Sequence, residues 1–115
     1  MPPTLADRLT HILTAIEDIR LMLADRTLVE FASDRILMMA VERSFEIMSE
    51  ASRYVPADLK EAEKEIDWQK LADLGNRLRH AYHRIDPVIL WNIAENDLEP
   101  LKRFVERIVA GDDRP

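Results

Sequence analysis

Apolar residues near the start of the chain recur in alternating steps of four and three, which is the spacing of one face of an amphipathic helix. This run consists of Leu5, Leu9, Ile12, Ile16, Ile19 and Leu23. Thr4 stands just before it, where a threonine side chain can accept a hydrogen bond from a backbone amide of the first turn. The pattern predicts a first helix that begins after Thr4 and ends near Asp25 and Arg26.

The segment from Thr27 to about Ala51 is predicted to form a second helix, with Thr27 as its N-cap. One side of it is regularly apolar, and further apolar residues surround that side. The two groups are Leu37, Val41, Phe45 and Met48, and then Val29, Ala32, Ile36 and Met39. A helix that is apolar over most of its circumference must be covered on several sides. We therefore expect this helix to be central in the fold or to pack against a second subunit.

The next segment, residues 52–67, is polar and mostly acidic. It is predicted to be a connector with one or two helical turns, which Pro56 can start. A third helix follows from about Asp67. It is predicted to end at Asp86, because the residue before a proline disfavours the helical region and Pro87 comes next.

Asp86 and Pro87 are also suited to begin the last helix, as its N-cap and its first helical residue. Pro100 interrupts the apolar run of this helix, so we expect a kink near residues 95–96 within one helix. Gly111 is expected to end it. Together these patterns predict a single all-α domain over residues 1–115, an up-and-down bundle of four to five helices.

The composition narrows the classes of function that the chain can serve. Its 115 residues contain no cysteine, so neither a disulfide framework nor a cysteine-rich zinc site is possible. No stretch has the apolar length of a membrane span and the N-terminus lacks the layout of a signal peptide, so we expect a cytoplasmic protein. A formal net charge of -6 argues against broad, non-specific nucleic-acid binding but allows a small basic cleft.

Basic and titratable residues gather in one short stretch of this acidic chain, NRLRHAYHRID at positions 76–86. Helical spacing places Arg77, His80 and Arg84 on one face, while Arg79 and His83 form a second pair four residues apart. One interpretation is that these cations only complement the dipole at the helix C-terminus.

The other interpretation of this stretch is an RNA-cleaving or phosphate-binding site. Histidine can take the proton of a ribose 2'-hydroxyl, arginine can hold charge on a phosphate, and Tyr82 can contact a phosphate or stack on a base. His80 and His83 lack a third metal ligand, since Asp73 and Asp86 do not complete a triad with them. No glycine-rich phosphate loop is present either, and we expect no metal or other cofactor.

Three segments of the chain resemble the HEPN superfamily and, within it, the HepT-like toxins of toxin-antitoxin pairs. These are LTHILTAIEDI, EFASDRILMMAVERSFEIMSEA and IDWQKLADLGNRLRHAYHRIDPVILWNIAENDLEPL. The family signature is an arginine, four variable residues, a histidine, one variable residue and a tyrosine. His80 and Tyr82 match its histidine and tyrosine, Asn76 matches the polar position after the arginine, and Gly75 stands where the arginine is expected.

The resemblance implies a HEPN-like homodimer that cuts RNA without metal, from a cleft built by two chains. His80 would be the general base. Arg77 or Arg79 would replace the missing arginine as phosphate stabiliser, with Arg77 favoured because it shares a face with His80. The implied partner is a minimal nucleotidyltransferase antitoxin, which would transfer AMP to Tyr82. Because of Gly75, the alternative is a catalytically impaired HEPN protein that binds a nucleotidyltransferase or a nucleotide.

The remaining residues of the stretch, Asn76, His83 and Arg84, would join Tyr82 in contacting RNA if the resemblance holds. Glu50, in the Glu-Ala ending of the second helix, matches a family position as well. It is expected to be either catalytic or a buried partner of an arginine such as Arg53. No membrane partner is expected.

Overall fold

All regular structure in the part of the chain that the computed structural model describes, residues 1–80 and 85–111, is helical. Seven helices follow one another there. They are α1 (Leu5–Leu23), α2 (Leu28–Ser33), α3 (Arg35–Ser52), α4 (Ala57–Glu61), α5 (Trp68–His80), α6 (Pro87–Asn96) and α7 (Leu98–Val109). The predicted all-α class is confirmed. Two of the long helices expected from the sequence are each divided in two.

Reciprocal hydrogen bonds fix the beginnings of α1 and α2. The amide of Asp7 donates to the Thr4 hydroxyl at 3.1 Å, and the amide of Thr4 donates to the Asp7 carboxylate at 2.9 Å. The hydrogen bond from the Thr4 amide, followed by that from the Thr4 side chain, holds the pKa of the Asp7 carboxylate below its ordinary value. Thr27 and Glu30 repeat the same capping box at the start of α2. Both predicted N-caps are therefore confirmed.

The predicted second helix is wrong in its continuity, because Asp34 separates α2 from α3. Asp34 has extended backbone angles, φ -109° and ψ 97°, and its carboxylate accepts a hydrogen bond from the amide of Leu37 at 3.0 Å. The side chain thus caps a new helix at a position where an unbroken helix would have used a backbone carbonyl. An aspartate within an apolar run was the local signal for this break.

The predicted last helix also divides, at Asp97, so that α6 and α7 are separate. Proline has no amide hydrogen for the bond to the carbonyl four residues earlier, but it is tolerated in a first turn, where that amide needs no partner. Pro100 is the third residue of α7. Pro100 therefore breaks no hydrogen bond within α7, and the expected kink is replaced by the start of a new helix. The predicted end is confirmed, since Gly111 has a φ of 77° just beyond α7.

The core lies mainly along α3, which packs against α1 on one side and α5 on another. The apolar stripe of α1 is buried there, as predicted, except that Leu5 is exposed and Leu23 only partly covered. Arg20 of α1 also pairs with Glu99 of α7 at 2.7 Å, and the hydrogen bond from Arg20 lowers the pKa of Glu99. Because α3 packs against both α1 and α5, it is the helix that positions α5 in the fold.

The connector between α3 and α5 contains the short helix α4, which begins after Pro56 as predicted. The indole nitrogen of Trp68 donates to the carbonyl of Lys60 at 3.2 Å, and the ring of Trp68 meets Phe104 edge-on, with centroids 5.1 Å apart. The connector is therefore anchored to the start of α5 and, through Phe104, to α7.

Part of the apolar surface of α2 and α3 remains uncovered. Val29, Ile36 and Met39 are 74%, 66% and 50% exposed, although the buried side of α3 holds Val41 and Phe45 at 0%. A contiguous apolar patch on a surface marks a site that another molecule covers, whereas single exposed apolar side chains are normal. Within the described residues, α3 is covered where it faces α1 and α5, and these three side chains remain exposed.

Replacing Asp34 by alanine is expected to lower the free energy of unfolding by about 1 kcal/mol, because the Leu37 amide loses its acceptor. Urea unfolding followed by circular dichroism measures this. Asp34→Asn is the matched control, since it keeps an acceptor oxygen but removes the charge that faces Arg26 at 3.7 Å. If the asparagine variant is as unstable as the alanine variant, the charge of Asp34, and not its hydrogen bond to the Leu37 amide, stabilises the separation of α2 from α3.

Candidate functional site: the end of α5 and its contact with α3

The predicted site residues that the structure describes lie on the last turns of α5. The helix begins with a carboxylate cap, in which the Lys70 amide donates to Asp67 at 3.0 Å. Leu71 and Leu74 are buried and hold one face of α5 against the core. Asn76 and His80 are exposed on the other side. Local packing thus presents the polar residues of the signature to solvent.

Gly75 is where α5 comes closest to α3. A Cβ atom at this position would lie 1.9 Å from the hydroxyl oxygen of Ser49 and 2.6 Å from its Cβ. Ser49 is 1% exposed, and its hydroxyl donates to the carbonyl of Leu71 at 2.6 Å. The glycine is therefore required by packing within the chain, and any side chain here would force the two helices apart.

Arg79 covers the position that a side chain of residue 75 would have used. Its Nη1 atom lies 3.5 Å from where the Cβ of residue 75 would be. This follows from helix geometry, because a side chain leans towards the N-terminus and reaches the residue four positions earlier. Nη1 also pairs with the Glu50 carboxylate at 3.1 Å, across from α5 to α3. A cation is thus fixed beside Gly75.

Glu50 has two arginine partners. The same carboxylate oxygen that meets Arg79 lies 3.2 Å from Nη1 of Arg53. The side chain of Glu50 is 37% exposed, so the expected arginine partner is present but the carboxylate is not buried. Sharing one carboxylate leaves the pair of guanidinium groups with an excess positive charge.

Arg77 lies on a different side of α5 from Arg79. It lines a cavity of about 310 Å³ between α5 and α6 together with Asp73 and Ile89. Arg77 and Asp73 therefore share the side of α5 that faces α6. His80 is the last residue of α5, while Tyr82, His83 and Arg84 lie outside the described residues.

Within residues 1–80 and 85–111, no three histidine, aspartate or glutamate side chains come together as metal ligands would. None of the helices described there combines the length and apolar character needed to cross a bilayer.

Comparison with known proteins decides the family. A family model described as "Ribonuclease HepT-like" matches residues 12–108. The chain belongs to the ribonuclease HepT-like family. No solved structure gave a significant match.

Two relatives in the ribonuclease HepT-like family match along almost their whole length. A Methanocaldococcus jannaschii protein named as a candidate RNase is 35% identical over 98 residues, covering 85% of this chain and 90% of the relative. A Thermococcus cleftensis protein named "Probable ribonuclease HepT" is 34% identical over 102 residues, covering 89% and 93%. These matches confirm the resemblance seen in the sequence.

Sequence reasoning missed the HepT-like chain's contacts around Gly75. Ser49 and Gly75 are 26 positions apart on different helices, and the pairing of Glu50 with Arg79 spans 29 positions. No periodic pattern links such positions. A mid-helix glycine was the one available signal, because it costs about 1 kcal/mol relative to alanine and so indicates a close approach.

Gly75→Ala is expected to destabilise the protein by about 1–3 kcal/mol through overpacking against Ser49. Helix propensity alone predicts the opposite sign, a gain of about 1 kcal/mol. Asn76→Ala, at the neighbouring exposed position, is the matched control and should be neutral or slightly stabilising. Denaturant unfolding distinguishes the two signs.

Adding Ser49→Gly should recover part of the loss in the Gly75→Ala variant, because it removes both clashing atoms. A double-mutant cycle measures this coupling. A stabilising effect of Gly75→Ala, or an absence of coupling to Ser49, would contradict the close approach of α3 and α5.

Proposed function

We propose that this ribonuclease HepT-like protein is the toxin of a toxin-antitoxin pair and cuts RNA, without a metal ion, from a cleft between two identical chains. The observation that carries the proposal is the end of α5, where the exposed His80 follows Arg79, a cation fixed beside Gly75. Family membership and the names of the relatives support RNA as the substrate.

The proposed reaction uses His80 as the general base. Its imidazole takes the proton of the ribose 2'-hydroxyl, the freed oxygen attacks phosphorus, and the bond from phosphorus to the 5'-oxygen breaks. The 5'-oxygen receives a proton from the protonated His80 of the second chain. The products are a 2',3'-cyclic phosphate and a 5'-hydroxyl end, so protons and bonds balance without a further reactant.

Arg79 is our choice for the group that stabilises the phosphate. It is favoured over Arg77 because its guanidinium lies beside Gly75, where the family signature has arginine, whereas Arg77 lines the cavity towards α6. A guanidinium held by Glu50 is preorganised, and a preorganised cation stabilises a developing charge without reorganisation during the reaction. This replaces the preference for Arg77 that helical spacing alone gave.

A second chain is proposed because one α5 supplies a single described histidine at this site. The exposed apolar residues Val29, Ile36 and Met39 support dimerisation, since their burial would contribute to association. The proposed antitoxin is a minimal nucleotidyltransferase that transfers AMP to Tyr82, where added phosphate charge and bulk would oppose RNA binding.

Gly75 favours a second candidate function, a non-catalytic subunit that binds a nucleotidyltransferase or a nucleotide. Restoring the signature by Gly75→Arg does not separate the two candidates, because Ser49 occupies the space of the new side chain. Co-purification with a nucleotidyltransferase, combined with complete absence of RNA cleavage at high protein excess, would support this second function.

Wild-type protein is expected to cleave cellular RNA in the presence of a chelator, and His80→Ala is expected to slow cleavage at least about a hundredfold through loss of the general base. Gel analysis of end-labelled RNA measures the rate, and the ends should be 2',3'-cyclic phosphate and 5'-hydroxyl. Equal, undetectable cleavage by both proteins would contradict the enzymatic proposal.

Arg79→Gln is expected to reduce the cleavage rate by about a hundredfold to a thousandfold, the usual loss when one preorganised donor is removed. Arg77→Gln makes the same change of charge two positions away and should lose far less. Single-turnover cleavage with each variant, after a check of folding by circular dichroism, makes the comparison. A larger loss of cleavage rate in Arg77→Gln than in Arg79→Gln would contradict the choice of Arg79 and indicate that the phosphate binds on the side of α5 that faces α6.

A further inference from the structure

Arginines from three separate parts of the fold line one groove beside α5. The groove has a volume of about 350 Å³ and is lined by Arg8 of α1, Arg43 of α3, Arg53 just after α3, and Arg79 of α5. His11 lies there as well, and the carboxylates that line it are Glu46 and Glu50. With His11 neutral, four arginines and two glutamates leave a net charge of +2, in a chain whose net charge is -6.

A helix-dipole effect does not account for Arg8, one member of this cluster. Cations are favoured near the C-terminus of a helix and disfavoured near its N-terminus. Arg8 is the fourth residue of α1, in the unfavourable first turn. Its position must therefore depend on other contacts or on a ligand.

Arg8 is also the groove arginine with the least compensation. Its guanidinium lies 3.6 Å from the ring centroid of Tyr54, and its Nε atom is buried without a hydrogen-bond partner. Within residues 1–80 and 85–111 it makes no ion pair with a carboxylate. By contrast, Arg43 pairs with Glu46 at 3.0 Å. The aromatic ring orients the Arg8 cation but does not neutralise it.

The arrangement fits a chain of phosphates better than a single small anion. The planar fork of arginine suits phosphate oxygens, and cations spaced along a groove can track a nucleic-acid backbone. Arg79 lines this groove, and the exposed His80 is the next residue in α5. Tyr54, which is 52% exposed beside Arg8, is a ring of the kind on which an unpaired base stacks.

We infer that this groove, defined by Arg8, Arg43, Arg53 and Arg79, binds the phosphates of single-stranded RNA next to the bond that is cut. The inference rests on the proposed function, because it takes RNA as the substrate. It adds a binding surface formed by α1 and α3 to a site that the sequence placed on α5 alone.

The test measures the affinity of a fluorescent single-stranded oligoribonucleotide by anisotropy, in the His80→Ala background so that the probe stays intact. Arg8→Gln and Arg43→Gln together should weaken binding at least tenfold. They should also reduce the slope of log affinity against log salt by about 1.4, since each lost phosphate contact on a single strand contributes about 0.7. Arg103→Gln makes the same charge change on α7, outside the groove, and should leave both quantities unchanged.

Folding is controlled by Arg43→Gln alone, since 67% of the Arg43 side chain is exposed and its loss removes no packing. This single variant should still reduce the salt slope by about 0.7. Wild-type affinity and slope in both groove variants would overturn the inference. AMP that competes for the protein as well as the oligonucleotide does would also overturn it. So would groove variants that no longer bind a purified nucleotidyltransferase but still bind RNA.

The inference and the proposed function can fail separately. If the wild-type protein binds RNA through the groove but cuts no RNA, the groove inference stands and the enzymatic proposal fails. If the Arg43→Gln variant cleaves RNA with an unchanged KM, the enzymatic proposal stands and the groove inference fails. Where both hold, Arg43→Gln raises KM and leaves kcat close to wild type.

Discussion

The close approach of α3 and α5 at Ser49 and Gly75 is the constraint on which the site depends. There is no room for a Cβ atom at residue 75, since the serine hydroxyl would lie 1.9 Å away. The serine is held in turn by its bond to the Leu71 carbonyl. Because the helices touch here, the Glu50 carboxylate of α3 reaches Arg79 of α5. The packing of Ser49 against Gly75 thus determines the position of the Arg79 guanidinium.

This constraint changes the meaning of the departure from the HepT-like signature. Taken alone, glycine in place of arginine indicates a lost phosphate contact. In the folded chain, the glycine allows a close contact, and Arg79, one turn later, leans back over the vacated space. A positive charge therefore lies beside residue 75, although it comes from another residue. The excess of arginines in the neighbouring groove extends the same positive surface on to α1 and α3.

The sequence predicted the features that depend on local rules. The all-α class, the caps at Thr4 and Thr27, the helical turn after Pro56 and the end at Gly111 follow from periodicity and from the chemistry of single side chains. The breaks at Asp34 and Asp97 were missed because apolar periodicity continues across them, while capping and the missing amide of Pro100 decide the backbone.

The sequence predicted the candidate site mainly from residues that lie close together on α5. His80 and the two arginines were proposed because they are neighbours in the sequence. Glu50 was noted as a family position, but its pairing with Arg79 was not predicted, since Glu50 lies on α3 and only tertiary packing brings the two side chains together. Helical spacing grouped Arg77 with His80 but could not show that Arg79 lies over Gly75.

The role of Arg79 can be tested by a crystal structure of the protein with an oligoribonucleotide whose attacking 2'-oxygen is methylated. We expect the phosphate at the blocked bond to contact the Arg79 guanidinium, with His80 within hydrogen-bond distance of the modified oxygen. A phosphate bound instead by Arg77 in the cavity towards α6, with Arg79 paired to Glu50 alone, would contradict it.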